Sequence, residues 1–115
     1  MSKQDNREKF VIFVDDKIKE SFDKLKEGKF EEKQLCEFIN RAMDDLKENS
    51  LAGTHIPRRV WPKEYAQKYR INNLWKYDLP NGWRLIYTIK GSEVKIISVI
   101  LEWFSHKKYE KKFKY

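Results

Sequence analysis

What this chain lacks narrows its chemistry before any motif is read. It has one cysteine, Cys36, among 115 residues, which excludes an intrachain disulfide framework and a cysteine-based zinc site. Its two histidines, His55 and His106, lie far apart without an accompanying acidic cluster, so no metal-ligand spacing is present. The four glycines stand isolated at 28, 53, 82 and 91. They cannot form a phosphate-binding glycine loop, and no Gly-x-Ser-x-Gly nucleophile elbow occurs. There is no run of about 18 apolar residues to span a bilayer, and the N-terminal MSKQDNREK is polar, unlike a leader with an apolar h-region. Cofactor-free chemistry or plain binding remains. The expectation is a cytoplasmic chain with no membrane partner, no metal and no small-molecule cofactor. Without repeats or low-complexity linkers it reads as a flexible segment 1–8 followed by a single domain, 9–115.

Positive charge is abundant. Lys and Arg number 25 against 18 Asp and Glu, a formal net charge of +7, which favours a polyanionic partner such as nucleic acid. A surface rich in Lys and Glu is also compatible with charges that are simply solvated.

The stretch Asn73 to Lys90 reads as a β-hairpin closed by Pro80-Asn81-Gly82, a type I turn followed by Gly82 in the left-handed region. Register decides the loop length. Three loop residues set Leu79 against Trp83, Tyr77 against Leu85 and Trp75 against Tyr87, giving one wholly apolar face. A two-residue loop would slip the pairing and mix Lys76 and Asp78 with Leu85 and Tyr87, which a half-buried sheet resists. The opposite face then carries a polar strip of Lys76, Asp78, Arg84 and Thr88.

Around this hairpin, Lys9 to Val14 is a strand apolar on both sides and so expected in the centre of the sheet. Asp15 and Asp16 can cap a helix whose Ile18, Phe22 and Leu25 share one face before Gly28 ends it. A second helix runs from about Glu31 to Glu48 with a stripe of Leu35, Phe38, Ile39, Ala42, Met43 and Leu46, making an αα-hairpin with the first. Cys36 at the stripe's edge reads as a small packing residue, with no cationic constellation to make it a nucleophile. Residues 49–71 are irregular, with a short helix after Pro62. A third strand, nearly continuous in Val and Ile from Glu93 to Phe104, is buried on both faces, and a short basic segment follows. The fold class is α+β: β-α-α-(α)-β-β-β, a small, mostly antiparallel sheet with the αα-hairpin packed on one face.

Two groups of residues carry candidate chemistry. In the irregular region Arg58, Arg59, Lys63, Lys68 and Arg70 cluster with Trp61, Tyr65 and Tyr69, a mixture that holds phosphates and stacks on unpaired bases. For Trp61 and Tyr65 core packing is the preferred reading; for Arg58 and Arg59 phosphate contact and plain solvation both stand. In the C-terminal segment His106, Tyr109 and Phe113 can share one side of a short helix, with Lys107, Lys108, Lys111, Lys112 and Lys114 around the rest. One reaction suits a basic, metal-free site: cleavage of RNA by its own 2′-hydroxyl. The protein then supplies a proton acceptor, cations for the charge on phosphorus and an acid for the leaving oxygen. Arg84 and Lys76 can serve the charge; His106, Lys107 or Tyr109 can serve proton transfer. Asp78 opposite Arg84 is equally a plain cross-strand ion pair.

The segments Leu74-Trp75-Lys76-Tyr77-Asp78-Leu79 and Gly82-Trp83-Arg84-Leu85-Ile86-Tyr87, with His106-Lys107-x-Tyr109 after a Val/Ile-rich strand, resemble the RelE/ParE toxin superfamily. The order of elements is similar over residues 9–113. The resemblance to RelE- and YoeB-like members implies a toxin-like, ribosome-dependent mRNA endonuclease (an mRNA interferase) that acts on mRNA on the ribosome and is neutralised by a cognate antitoxin protein. Arg84 would contact the scissile phosphate and Lys76 would be the basic residue of the preceding strand. His106 or Lys107, with Tyr109, would stand near the cleaved bond. Apart from the resemblance, the basic residues Arg58, Arg59, Lys63, Lys108 and Lys111 are the candidates for binding RNA. Asp78 stands where RelE-like toxins carry a second lysine, and Glu64 lies outside the local motif of the YoeB-like glutamate base. The alternative is a non-catalytic binding protein of the same fold, in the manner of ParE-like gyrase inhibitors or an RNA- or antitoxin-binding homologue.

Overall fold

The computed structural model describes residues 6–115, so the flexibility expected of 1–5 lies outside the described residues. Arg7 donates to the Ser92 carbonyl and Glu8 already stands in the first strand. The chain runs through β1 (Glu8–Phe13), α1 (Asp16–Leu25), α2 (Phe30–Glu48), β2 (Thr54–His55), α3 (Tyr65–Tyr69), β3 (Trp75–Asp78), β4 (Arg84–Gly91), β5 (Lys95–Phe104) and α4 (His106–Lys112). One five-stranded mixed sheet has the order β1-β5-β4-β3-β2. Only β1 and β5 run parallel; the other pairs are antiparallel. The α+β class and the mostly antiparallel sheet agree with the sequence reading, and the two-residue strand β2 is an addition to it.

The helices form where their caps and stripes place them. Asp15 accepts a hydrogen bond from the Ile18 N–H at 2.9 Å, capping α1. Phe22 turns inward, its ring 5.1 Å from that of Phe13. On α2 the buried face is Leu35, Cys36, Ile39, Ala42 and Leu46, and it packs on Leu79, Leu85, Tyr87 and Ile100 of the sheet. Burial pushes the Cys36 thiol up from its ordinary value, so it is an inert packing group.

Two expectations need correcting. Among the described residues β1 is an edge strand of the sheet, and the strand it pairs with is β5. Val11 and Phe13 face the helices, but Phe10 and Ile12 on the reverse are 41% and 49% exposed. An apolar composition on both sides records what a strand can bury, not how many neighbours the topology gives it. The αα-hairpin keeps to one face, as expected, while α3 and α4 lie on the other. Ile56, Val60, Tyr65, Ile71, Leu74, Tyr109 and Phe113 pack with Ile86, Val99 and Leu101 into a second core on the other side. Thr88 belongs there: it is buried and donates to the Asn73 carbonyl at 2.7 Å, so it drops out of the polar strip.

The pairing of β4 with β5 slips between Ile86 and Tyr87, which oppose Glu102 and Ile100 respectively. Leu101 is the extra residue of a β-bulge. Leu101 is fully buried in the second core, and neighbouring Glu102 accepts from the Tyr65 hydroxyl on that same side. Burial first, and then Glu102, hold the Tyr65 phenol far above its ordinary value.

Tyr87 ties the second edge to the first core. Its hydroxyl accepts from the Gly53 N–H at 3.0 Å and donates to the Ser50 carbonyl at 2.8 Å. A side chain at Gly53 would bring its Cβ within 2.4 Å of the Lys76 carbonyl oxygen, so only glycine admits this approach. Tyr87→Phe leaves both groups unsatisfied and is expected to cost about 1–3 kcal/mol in urea unfolding. Burial raises the Tyr87 phenol to about 12. Its folded value exceeds the unfolded one near 10, so the stabilisation is complete below pH ~10 and is lost as pH climbs towards 12. Alkaline unfolding followed at 295 nm checks this; a Tyr87→Phe variant with an unchanged alkaline midpoint would refute it.

Candidate functional site

The register of the hairpin positions its charges. Trp75 opposes Tyr87, Lys76 opposes Ile86, Tyr77 opposes Leu85 and Asp78 opposes Arg84, and the Leu79 N–H donates to the Trp83 carbonyl at 2.8 Å. This is the pairing that a three-residue loop requires. Gly82 is left-handed as expected, with φ 80°, but Asn81 before it is left-handed too, with φ 61° and ψ 26°, in place of a type I turn. Two consecutive left-handed residues match the twist of the strands better than a type I turn does, and asparagine tolerates that conformation at small cost.

At the tip one carboxylate oxygen holds two cations. Asp78 Oδ1 lies 2.8 Å from Lys76 Nζ and 3.0 Å from Arg84 Nε. The cations are largely enclosed, their side chains 17% and 18% exposed, while that of Asp78 is 56% exposed. Arg84 also donates to the Trp83 carbonyl. The two cations converge on a position that faces solvent, and an anion occupies it. A half-exposed ion pair of this kind is worth about 1 kcal/mol or less, whereas hydrogen bonds to charged groups contribute roughly 1.5–3 kcal/mol. Asp78 makes hydrogen bonds of that charged kind itself, so an incoming anion would exchange with its carboxylate for the same two cations.

The helix α4 folds back beneath this tip. The Arg84 guanidinium carbon stands 5.9 Å from the centre of the Tyr109 ring, a distance at which the ring face attracts the cation. Tyr109 is buried, stacks on Phe113 at 4.6 Å, and its hydroxyl shares a hydrogen bond with that of Tyr115 at 2.7 Å. Burial, reinforced by Tyr115, pushes its phenol far above the ordinary value. Tyr109 thus stays neutral and supports Arg84 from below. His106 is exposed at the start of α4, where its Nε2 lies 2.8 Å from Glu110 Oε1. A Cβ added to Gly82 would stand 3.1 Å from His106 Cβ, so the imidazole leaves the helix right at the hairpin tip.

The structure therefore brings Lys76 and Arg84 together on Asp78, with the Tyr109 ring against Arg84 and His106 against the same tip. Lys107, next to it, is exposed, as are Lys108 and Lys111 further along α4. Arg58 and Arg59 are exposed on a single helical turn before α3, where Arg58 stacks over the Trp61 ring at 5.0 Å. Lys63 lies beside them, exposed. Trp61 donates its indole N–H to the Ile56 carbonyl at 2.9 Å and Tyr65 is buried, the packing role preferred for both. One residue and one grouping escaped the sequence reading. Glu110 is the carboxylate that holds His106; the i, i+4 spacing of the two was the available signal. Lys112 and Lys114 stand with Arg59 and Lys63 around one cleft, a grouping created by tertiary folding alone.

Among the described residues no cluster of three His, Cys, Asp or Glu side chains is placed to hold a metal ion, and no helix is long and apolar enough to cross a membrane. Comparison with protein-family models, curated proteins and solved structures found no match to this chain.

Proposed function

We propose that this chain is a RelE-like endoribonuclease of the toxin class, which cleaves mRNA on the ribosome by attack of the 2′-hydroxyl and is held in check by an antitoxin protein. The observation that carries this reading is the convergence of Arg84 and Lys76 on one anionic oxygen at a rigid hairpin tip, beside an exposed histidine. In the reaction the scissile phosphate takes the place of Asp78. Arg84 and Lys76 then stabilise the charge that develops on the phosphorane oxygens, in a geometry fixed before substrate arrives. His106, oriented by Glu110, accepts the proton of the attacking hydroxyl, and Lys107 beside it can supply one to the leaving oxygen. Tyr109 sets the height of Arg84.

The second reading, a non-catalytic binding protein of the same fold, is favoured by one specific feature: Asp78 already fills the anion position. The two part on an experiment. Wild-type protein is added to ribosomes carrying mRNA in the A site, and cleaved ends are mapped by primer extension. Cleavage is expected, and Asp78→Asn should raise the rate at limiting protein roughly tenfold, because removal of about 1 kcal/mol of competing ion pair is joined by loss of a like charge beside the phosphate. No cleavage by either protein would leave only the binding reading.

A further inference from the structure

At the far end of α4 from His106, the segment after Val60 and the C-terminal residues enclose an open cleft of about 440 Å³. Its wall is Trp61 and Pro62, and its rim carries Arg59, Lys63, Lys112 and Lys114 against the single carboxylate of Glu64. Its frame is rigid. The Trp61 indole N–H is fixed to the Ile56 carbonyl, the Lys114 N–H donates to the Val60 carbonyl at 3.2 Å, and the Lys112 ammonium is drawn over the rings of Phe104 and Tyr65. Lys112 is partly neutralised by Glu64 at 3.8 Å. Arg59, Lys63 and Lys114 are the exposed cations that remain for a ligand.

A flat aromatic wall framed by three or four cations is the requirement of an unpaired nucleotide: a π-face to stack on and a phosphate to neutralise. The Arg58 guanidinium lies over the Trp61 ring at 5.0 Å, so a base that stacks there takes that cation's place on the ring, whereas an acidic peptide would use the cations alone. A duplex keeps its bases stacked inside, where the wall cannot reach them. We infer that this cleft is a subsite for one unpaired nucleotide of a single-stranded RNA, with its base against Trp61 and its phosphates on Arg59, Lys63 and Lys114. This deepens the endoribonuclease reading and rests on it for the choice of RNA. α4 connects the two places: seven residues at 1.5 Å each make it about 10 Å long. At about 3.4 Å per stacked nucleotide that is roughly three nucleotides from the hairpin tip. The exposed Lys108 and Lys111 lie on α4 between its ends.

The test uses the full chain and a fluorescein-labelled hexauridylate, followed by anisotropy over a series of salt concentrations. Wild-type protein should bind it, and a hairpin of the same length should bind at least tenfold more weakly. The triple variant Arg59→Ala, Lys63→Ala, Lys114→Ala removes only exposed side chains and should lose at least tenfold in affinity. Its log K against log salt slope should fall by about 2, the value for three single-strand phosphate contacts. Trp61→Phe should lose the tryptophan quenching that accompanies wild-type binding; its melting temperature shows whether it folds, and the triple variant decides the matter if it does not. Equal affinity of wild-type and triple variant, or equal affinity for hexamer and hairpin, overturns the inference. Binding that behaves as stated without any cleavage on ribosomes overturns the endonuclease reading and leaves the cleft standing. Stronger binding of the corresponding oligothymidylate would reassign the ligand from RNA to single-stranded DNA and overturn the choice of RNA.

Discussion

Arg84→Ala is expected to reduce ribosome-dependent cleavage by about 10²–10³-fold, equivalent to roughly 2.7–4 kcal/mol of transition-state stabilisation lost with one preorganised charge donor. The fold should survive, because the guanidinium meets the Trp83 carbonyl, the half-exposed Asp78 and the face of a Tyr109 ring already packed on Phe113, while the backbone of Arg84 keeps its place opposite Asp78 and Phe104. Arg84→Lys should recover part of the loss, since an ammonium restores the charge but not the planar fork that meets two phosphate oxygens at once. Initial rates from primer extension, with a melting curve beside them, measure both effects. A variant that cleaves within threefold of wild type would move the phosphate away from the hairpin.

Phe113→Ala is expected to carry the largest loss of stability, about 3–5 kcal/mol for an aromatic side chain removed from a packed core. Phe113 is buried, stacked on Tyr109 at 4.6 Å and edge-on to Tyr65 and Phe104 at 5.7 and 6.3 Å. Domains of this size are stable by about 5–15 kcal/mol in total, so the loss is a substantial fraction. It is also local. The helix-side core of α1, α2 and the sheet does not include Phe113, whereas α4 loses its anchor and with it the ring beneath Arg84. Cleavage should therefore fall further than the unfolded fraction accounts for. Urea unfolding gives the free energy, and activity at protein concentrations corrected for folded fraction gives the second effect. A cost below about 1 kcal/mol would show that α4 is held by other contacts.

The parts of the molecule legible in the sequence are those decided by short-range pattern. Leu79, Tyr77 and Trp75 find their partners because the side-chain period of a strand is two and a one-residue slip would bury Lys76. Ile18 and Phe22, or Leu35 and Ile39, declare helices by their spacing. The position of β1 was not legible, because Phe10 and Ile12 look the same whether a neighbouring strand exists or not. The second core was hidden for another reason: Ile56, Val60, Ile71 and Leu74 lie in irregular backbone and obey no period. The bulge at Leu101 was masked by the nearly continuous apolar run of β5, in which there is no regular alternation to be interrupted. At the site, the roles proposed for Arg84 and Lys76 follow from register, but the approach of Tyr109 to Arg84 depends on α4 turning back under the sheet. The sequence showed only that Tyr109 and Phe113 shared a side.

The parallel pairing of β1 with β5 also orders events in time. Glu8 aligns with Lys95 and Phe13 with Ile100, so the first described strand joins the sheet only once β5 has been made. The αα-hairpin and the β3–β4 hairpin are local and can form while the chain is still growing, whereas closure of the sheet waits on contacts of long sequence separation, which slow folding. Arg84 meets the Tyr109 ring later still, once residue 113 has been added. The hairpin that bears the cations is itself complete only once residue 91 has been added, and the surface that would engage a ribosome-bound message is assembled last.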